Sequence, residues 1–354
     1  MHGLLSMVLT AMVAVHPAAH PANDLAQALQ PVRDAGAPAA MVLLREHQLV
    51  RTAAVGVADT ATGRPANSGD HLRAGSVTKS FVATVVLQLV AERRLSLDDR
   101  LGALLPGVLP YADTITVRQL LNHHSGVPEY LGIVVQKYAE DPAAWLRHWS
   151  PAELVALVAD QPAQFPAGTD GRYSNTGYVL LGMIVERVTG RTLAAEIGRR
   201  IAGPLGLRDT MLAGDELTPP SPVMHGYAPM PGADPVDVTE WNPSAAWAAG
   251  ALVSTLADLA RFYRALLGGA LLPRPLLRQM LATTDVDGIA YGLGVFRIST
   301  PCGPAFGHNG AVYGYMTDVF TSADGTRQVV LAENYYDLGA WQAQESLIGT
   351  LLCR

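Results

Sequence analysis

The chain has 354 residues, 49% apolar and 16% charged, the balance of an ordinary folded globule with volume for a substantial core rather than of a peptide or a stapled miniprotein. A net charge of -6, with no run of Lys or Arg, argues against a nucleic-acid partner, because phosphate binding needs clustered cations.

In chain order, the first feature is the apolar run Leu4 to Val15, "LLSMVLTAMVAV", too short to span a bilayer and followed by Pro- and Ala-rich "HPAAHPAN". Residues 1–24 read as a secretory leader and the mature protein is expected outside the cell. No Lys or Arg precedes the run and no clean A-x-A site follows it, so the competing reading is a disordered tail on a cytoplasmic protein. No other segment reads as a membrane span.

Residues 39–57 form two β-runs around the polar break Arg45-Glu46-His47, a hairpin signature. Helical periodicity follows over Ser80–Glu92, Val117–Leu121, Pro151–Ala159, Tyr178–Val188, with Gly190 as C-cap, and Leu256–Leu267. The Pro-rich stretch Leu217–Pro235 reads as a long surface loop. Residues 291–299, 312–322 and 327–335 are strand-like, and Asp324-Gly325 suits a hairpin turn. Strands from both chain ends must meet in one sheet. The expected fold class is therefore α/β (α+β), with residues 25–95 and 236–354 forming the sheet domain, 96–235 inserted as a mainly helical region, and a cleft between them.

Only two lysines occur, Lys79 and Lys137, among 25 basic residues. Arginine stays protonated at any working pH, whereas a lysine amine can be pushed toward neutrality, so Lys79 stands out. In "GSVTKS" it lies three residues after Ser76 at a helix start, which puts both side chains on one face. The electropositive helix end favours an alkoxide on Ser76 and disfavours protonated Lys79, the makings of a nucleophile with a neutral base. Taken alone, Ser-x-x-Lys is a weak signal. So is Tyr173-Ser174-Asn175, in which Tyr173 could pack a core edge and Asn175 cap a helix. So is His308-Asn309-Gly310, which interrupts strand-like sequence and could be a satisfied histidine beside a bulge. Cys302 and Cys353 are either unrelated thiols or, in an exported chain, a bridge closing a long loop. Neither has metal-ligand spacing. Trp145, Trp149, Trp241 and Trp247 could line the cleft or pack a core, with core the better reading and Trp247, near "AAGAL", the best candidate for the cleft.

Together, in this order and about 100 and 135 residues apart, Ser-x-x-Lys, Tyr-x-Asn and His-x-Gly resemble the three signatures of the serine penicillin-recognising enzymes. The likeness is to the branch holding class C β-lactamases, related esterases and the secreted D-alanyl-D-alanine carboxypeptidases. It runs from about Gly36 to Cys353 through "GVADTATGR", "RAGSVTKSF", "ITVRQLLNHHSG", "YSNTGYVLLGMIVERVTG", "PLGL", "AAGALVSTLADLARF", "YGLGV" and "GHNGAVYGY". The resemblance implies a β-lactamase/DD-peptidase-like fold, with Ser76 as nucleophile, Lys79 as its base partner and Tyr173 as proton relay to the leaving group. Asn175 would bond the substrate amide, and His308 would stand where the family often has Lys. Gly310 would let the strand approach the substrate, and the backbone N–H groups of Ser76 and Ala311 would hold the oxyanion. It also implies a Cys302–Cys353 disulfide.

The family's carboxylate-binding Arg aligns with Phe296, and its hydroxyl partners with Asn309 and Ala311, so the acyl-transfer groups are retained while the carboxylate clamp is altered. Arg297 points to the opposite face unless the register slips. The implied activity is serine acyl-transfer hydrolysis of a small peptide (D-alanyl-D-alanine carboxypeptidase-like), amide or ester. The alternatives are a transacylase, esterase or D-amino-acid amidase with a neutral leaving group, and a β-lactam receptor that does not turn over. No cofactor and no metal are expected, and the chain is expected to be a monomer. A conventional α/β-hydrolase is disfavoured by the lack of G-x-S-x-G, and a metallohydrolase by the lack of HExxH.

Overall fold

The protein is described here by a computed structural model covering residues 21–230 and 232–353. The run Leu4–Val15 lies outside the described residues. A helix, Pro21–Ala28, begins inside the stretch assigned above to a leader, and its Leu25 is buried.

The hairpin at the head of the chain forms strands β1 (Ala39–Glu46) and β2 (Leu49–Asp59), turning at His47 with φ of 54°. Met41 and Leu43 of β1 enter one core cluster, and Ala40, Val42 and Leu44 enter the other. A strand apolar from Ala39 through Leu44 with both faces covered belongs in the middle of a sheet, and β1 is there. The remaining strands of this sheet are β3 (Arg64–Pro65), β4 (Thr284–Val286), β5 (Ile289–Tyr291), β6 (Phe296–Thr300), β7 (Gly303–Val312), β8 (Tyr315–Ser322) and β9 (Arg327–Glu333). Among the described residues they form a nine-stranded antiparallel sheet in the order β3-β2-β1-β9-β8-β7-β6-β5-β4. The two chain ends meet where β1 pairs with β9, Ala40 opposite Glu333.

Four helices position the site: α1 (Thr78–Ala91), α2 (Asn175–Thr189), α3 (Leu256–Leu267) and α4 (Leu338–Leu352). Helix α1 buries nearly every residue through Leu89, as a helix apolar on all sides must. Helix α3 lies on one face of the sheet, where Gln328 Nε2 donates to the Ala260 carbonyl; α4 covers the other, where Gln344 Nε2 donates to Asp318 Oδ2. Between β3 and β4 the chain is mostly short helices, and α2 ends at Gly190 in the left-handed conformation.

Two expectations change. His308-Asn309-Gly310 does not interrupt a strand: β7 is continuous, in unbroken register with β8 from Ala305 opposite Ser322 to Val312 opposite Tyr315. The Pro-rich stretch is not all loop, because Tyr227–Met230 pairs with Ala233–Asp237 as a two-stranded ribbon, a setting that tolerates strand prolines. Cys302 and Cys353 form a disulfide that ties the β6–β7 turn to the end of α4.

Candidate active site

Ser76 lies in a single turn, Gly75–Val77, that runs straight into α1. Thr78 locks it: its hydroxyl donates to the Gly75 carbonyl at 2.6 Å and accepts from the Leu252 amide at 3.0 Å. Strand β6 pairs with β7 only as far as Gly307, leaving the edge of residues 308–312 free for this turn. The approach is close. A Cβ on Gly310 would lie 2.0 Å from the Ala74 carbonyl oxygen and 3.1 Å from the Ser76 nitrogen, and one on Gly75 would lie 2.8 Å from the Ala311 nitrogen. The backbone at Gly310 and Ala311 thus packs directly on the turn that carries Ser76.

One helical turn on, Lys79 is fully buried, and its Nζ donates to Ser76 Oγ at 2.9 Å, Asn175 Oδ1 at 2.7 Å and the Ala249 carbonyl at 2.7 Å. Burial pulls its pKa down to about 7, against the attraction of Glu129. Asn175 opens α2, and its own amide donates to Glu129 Oε2 at 2.5 Å, while Glu129 Oε1 accepts from the Leu131 amide at 2.7 Å. Tyr173 presents its ring face to Lys79, 4.8 Å from Nζ to the centroid. Burial pushes its phenol well above the ordinary tyrosine value, with a hydrogen bond to Ser76 pulling the other way. Of the two groups beside Ser76, the amine is therefore the one that can be proton-free near neutrality.

His308 does not present a charge. Its ring is buried, Nε2 faces the Tyr291 hydroxyl at 3.0 Å and Nδ1 the Asn309 carbonyl at 2.5 Å, while burial and then Lys79 bring its pKa down to about 3. It is a neutral support where the family often places a cation.

The cleft beside Ser76 has a volume of about 210 Å³ and is lined by Ser76, Asn175, Ala311, Tyr130, Leu131, Val135, Tyr138, Trp241, Ala245, Ala246, Ala249, Gly250, Val312, Tyr313 and Tyr336. None of these carries a charge. A cavity of roughly 150 Å³ already admits benzene, so there is room for an aromatic side chain. Tyr313 is the hub of the wall, its ring 6.0 Å from Tyr138, 5.9 Å from Trp241 and 5.6 Å from Tyr336.

Three expected contacts are corrected. Trp247 does not line this cleft; its backbone at φ of 31° turns the indole onto Gly182 of α2, whose added Cβ would meet it at 2.8 Å. Phe296 packs edge-on against Tyr291 and His308, with centroids at 4.9 and 4.4 Å. Asn309 alternates to the face of the sheet opposite Gly310 and lines a separate depression with Phe296 and Ile348. The β6–β7 register shows no slip, since Phe296 stands opposite Gly307 and Arg297 opposite Phe306, and Arg297 is exposed.

Glu129, His123 and, apart from Trp241 as one alternative, the aromatic wall went unread in the sequence. The first two sit in or next to "LLNHHSG", where residue type alone says nothing of the contact made. The wall gathers residues from segments some 200 positions apart, which no periodicity can reveal.

The Beta-lactamase family profile matches residues 25–334. The chain belongs to the Beta-lactamase family. Its geometry at Ser76 is that of a serine hydrolase of this family. The chain is similar in structure to a D-stereospecific amidohydrolase from Streptomyces sp., with a TM-score of 0.83 and 34% identity over 91% of this chain and 98% of that one. It is 30% identical to Penicillin-binding protein 4 of Amycolatopsis lactamdurans over 73% of this chain and 70% of the relative. It is 36% identical to Esterase EstB of Burkholderia gladioli over 52% of this chain, a match that spans about half (48%) of the esterase's length. Among the described residues no helix is long and apolar enough to cross a membrane.

Proposed function

We propose that this Beta-lactamase-family protein transfers an acyl group from a neutral amide, ester or peptide through an acyl-Ser76 enzyme, with a D-configured aromatic or bulky apolar residue on the acyl side. The observation that carries this is the 2.9 Å contact between Ser76 Oγ and the buried Lys79 amine at the end of an uncharged aromatic cleft. Neutral Lys79 takes the hydroxyl proton as Oγ bonds to the substrate carbonyl carbon. The oxyanion so formed sits between the amides of Ser76 and Ala311, donors already in place before reaction. On collapse the C–N or C–O bond breaks, Tyr173 gives its phenolic proton to the leaving group and recovers one from Lys79. Water then attacks the ester through the same groups and frees Ser76.

The uncharged lining supports a neutral leaving group, since nothing there would pair with a free carboxylate. The D configuration is supported by likeness to the D-stereospecific amidohydrolase. The Cys302–Cys353 bond favours an oxidising compartment outside the cytosol, which fractionation of the producing cell would test. To test the activity, turnover of D- and L-phenylalanine methyl esters and amides is compared with that of a D-Ala-D-Ala peptide carrying a free carboxylate, alongside Ser76→Ala. Preference for the free acid, or turnover by Ser76→Ala, would reject the reading. A permanent rather than transient penicillin adduct would mark a receptor.

A further inference from the structure

We propose that His123 is a positioning residue that holds the Tyr173 phenol against Ser76 by gripping the chain on both sides of it. The proposal rests on the roles given above to Ser76, Lys79 and Tyr173.

Residues 166–174, which carry Tyr173, belong to no helix or strand, so the direction of its ring must be set by contacts. The His123 carbonyl accepts from the Arg172 amide at 3.0 Å, and His123 Nδ1 accepts from the Ser174 amide at 3.2 Å. One residue thus fixes the positions immediately before and after Tyr173. Its ring also lies against the Tyr173 ring, centroids 4.2 Å apart, and is backed by Tyr291 at 4.6 Å and Tyr178 at 5.3 Å. Further anchors of the segment are Asp287, whose Oδ2 accepts from the Tyr173 amide at 2.9 Å and whose own amide donates to the Gly171 carbonyl at 3.3 Å, and the His124 carbonyl, which accepts from the Gly168 amide at 2.8 Å.

The backbone at His123 is bent to allow this. Its φ of 61° is left-handed, which glycine and asparagine adopt more readily than histidine, and it lets one carbonyl and one ring reach the same three-residue segment. Because Nδ1 accepts, the ring hydrogen must sit on Nε2, and Nε2 is buried without a partner among the described residues. An orphaned donor in a site this enclosed points to a constraint set by the other nitrogen. A ring protonated on both nitrogens would lose the Ser174 bond. Burial, and then the neighbouring Lys79, His308 and His124, hold it neutral.

His123→Asn and His123→Gly separate the contact from the backbone bend. Both tolerate the positive φ, but only asparagine keeps an acceptor at the place of Nδ1. Turnover of D-phenylalanine methyl ester and the rate of Ser76 labelling by a fluorophosphonate are measured for each, with Ser76→Ala as control. The expected result is a fall in kcat and labelling rate of about 10- to 100-fold in His123→Gly, with KM little changed, and recovery of most of it in His123→Asn. Wild-type rates in His123→Gly, or equal losses in both variants, overturn the proposal. Where His123→Gly does not fold, His123→Gln, which places its acceptor one bond too far, takes its role under the same criteria. Activity in Ser76→Ala defeats the reading of Ser76 itself; an inactive Ser76→Ala beside a fully active His123→Gly defeats only the role of His123.

Discussion

The amine of Lys79 and the hydroxyl of Ser76 stand 2.9 Å apart with the amine wholly screened from water. A proton can be accepted there only when the lysine is neutral, and its pKa of about 7 puts that change within the working range. The acylation rate should therefore rise with pH through about 7. Lys79→Arg keeps the charge at every pH and should lose about 10²- to 10⁴-fold in kcat/KM. The linkage to stability has a definite sign. The folded pKa lies below the unfolded one, so stability is fully present above the unfolded value of 10.5 and lost as pH falls through about 7. Lys79→Met should be inactive yet melt higher than the wild type at pH 6, as a calorimetric scan would show.

Gly310 admits no side chain. An alanine Cβ would meet the Ala74 carbonyl oxygen at 2.0 Å, and that atom is backbone, so the turn bearing Ser76 must move away from the strand edge. Gly310→Ala should reduce kcat by about 100-fold, since a displacement of about an ångström is enough for that. Burst kinetics with an ester substrate would show acylation as the slowed step.

Trp241 contributes wall and no chemistry. Trp241→Ala should lower kcat/KM for a D-phenylalanyl ester by about 10- to 100-fold, the equivalent of leaving an aromatic side chain half in water. The corresponding D-alanyl ester should change little. The ratio of the two substrates is the quantity to measure.

On the far face of the sheet both carboxyl oxygens of buried Glu333 lack hydrogen-bond partners among the described residues, and Asp318 on β8 faces the same layer beneath α4. Burial, then Asp318 and Asp337, push Glu333 up to about 9, and burial chiefly lifts Asp318 to about 7. A carboxyl whose folded pKa is raised lends stability that is complete below its unfolded value of 4.5 and lost as pH rises through about 9. The contribution of Glu333 to the melting temperature should fall between pH 5 and pH 9, against the opposite slope from Lys79 above pH 7. Glu333→Gln should remove that fall without changing ester turnover at pH 7.

What could be read from residues alone was local. Ser76 and Lys79 meet because three positions on a helix are one turn, and β1 is central because its side chains are apolar on both faces. Tyr173 and Asn175 reach Lys79 only through tertiary packing, which motif order implied and periodicity did not. Reading Asn309 and Phe296 as substrate contacts failed for a simple reason: aligned positions do not say which face of a strand a side chain takes. The continuous β7 was hidden by its own glycines and proline, residues that usually punctuate strands and here clear space for the turn at Ser76.

The pairing of Ala40 with Glu333 has a bearing on synthesis. The ribosome releases the nucleophile's helix early, but the strand edge completing its oxyanion pocket emerges some 230 residues later, and β9 later still. The site around Ser76 can therefore assemble only once nearly the whole chain has been made. Nascent chains also hold β1 paired on its β2 side alone for most of translation, and non-local pairing of the kind that completes it is slow.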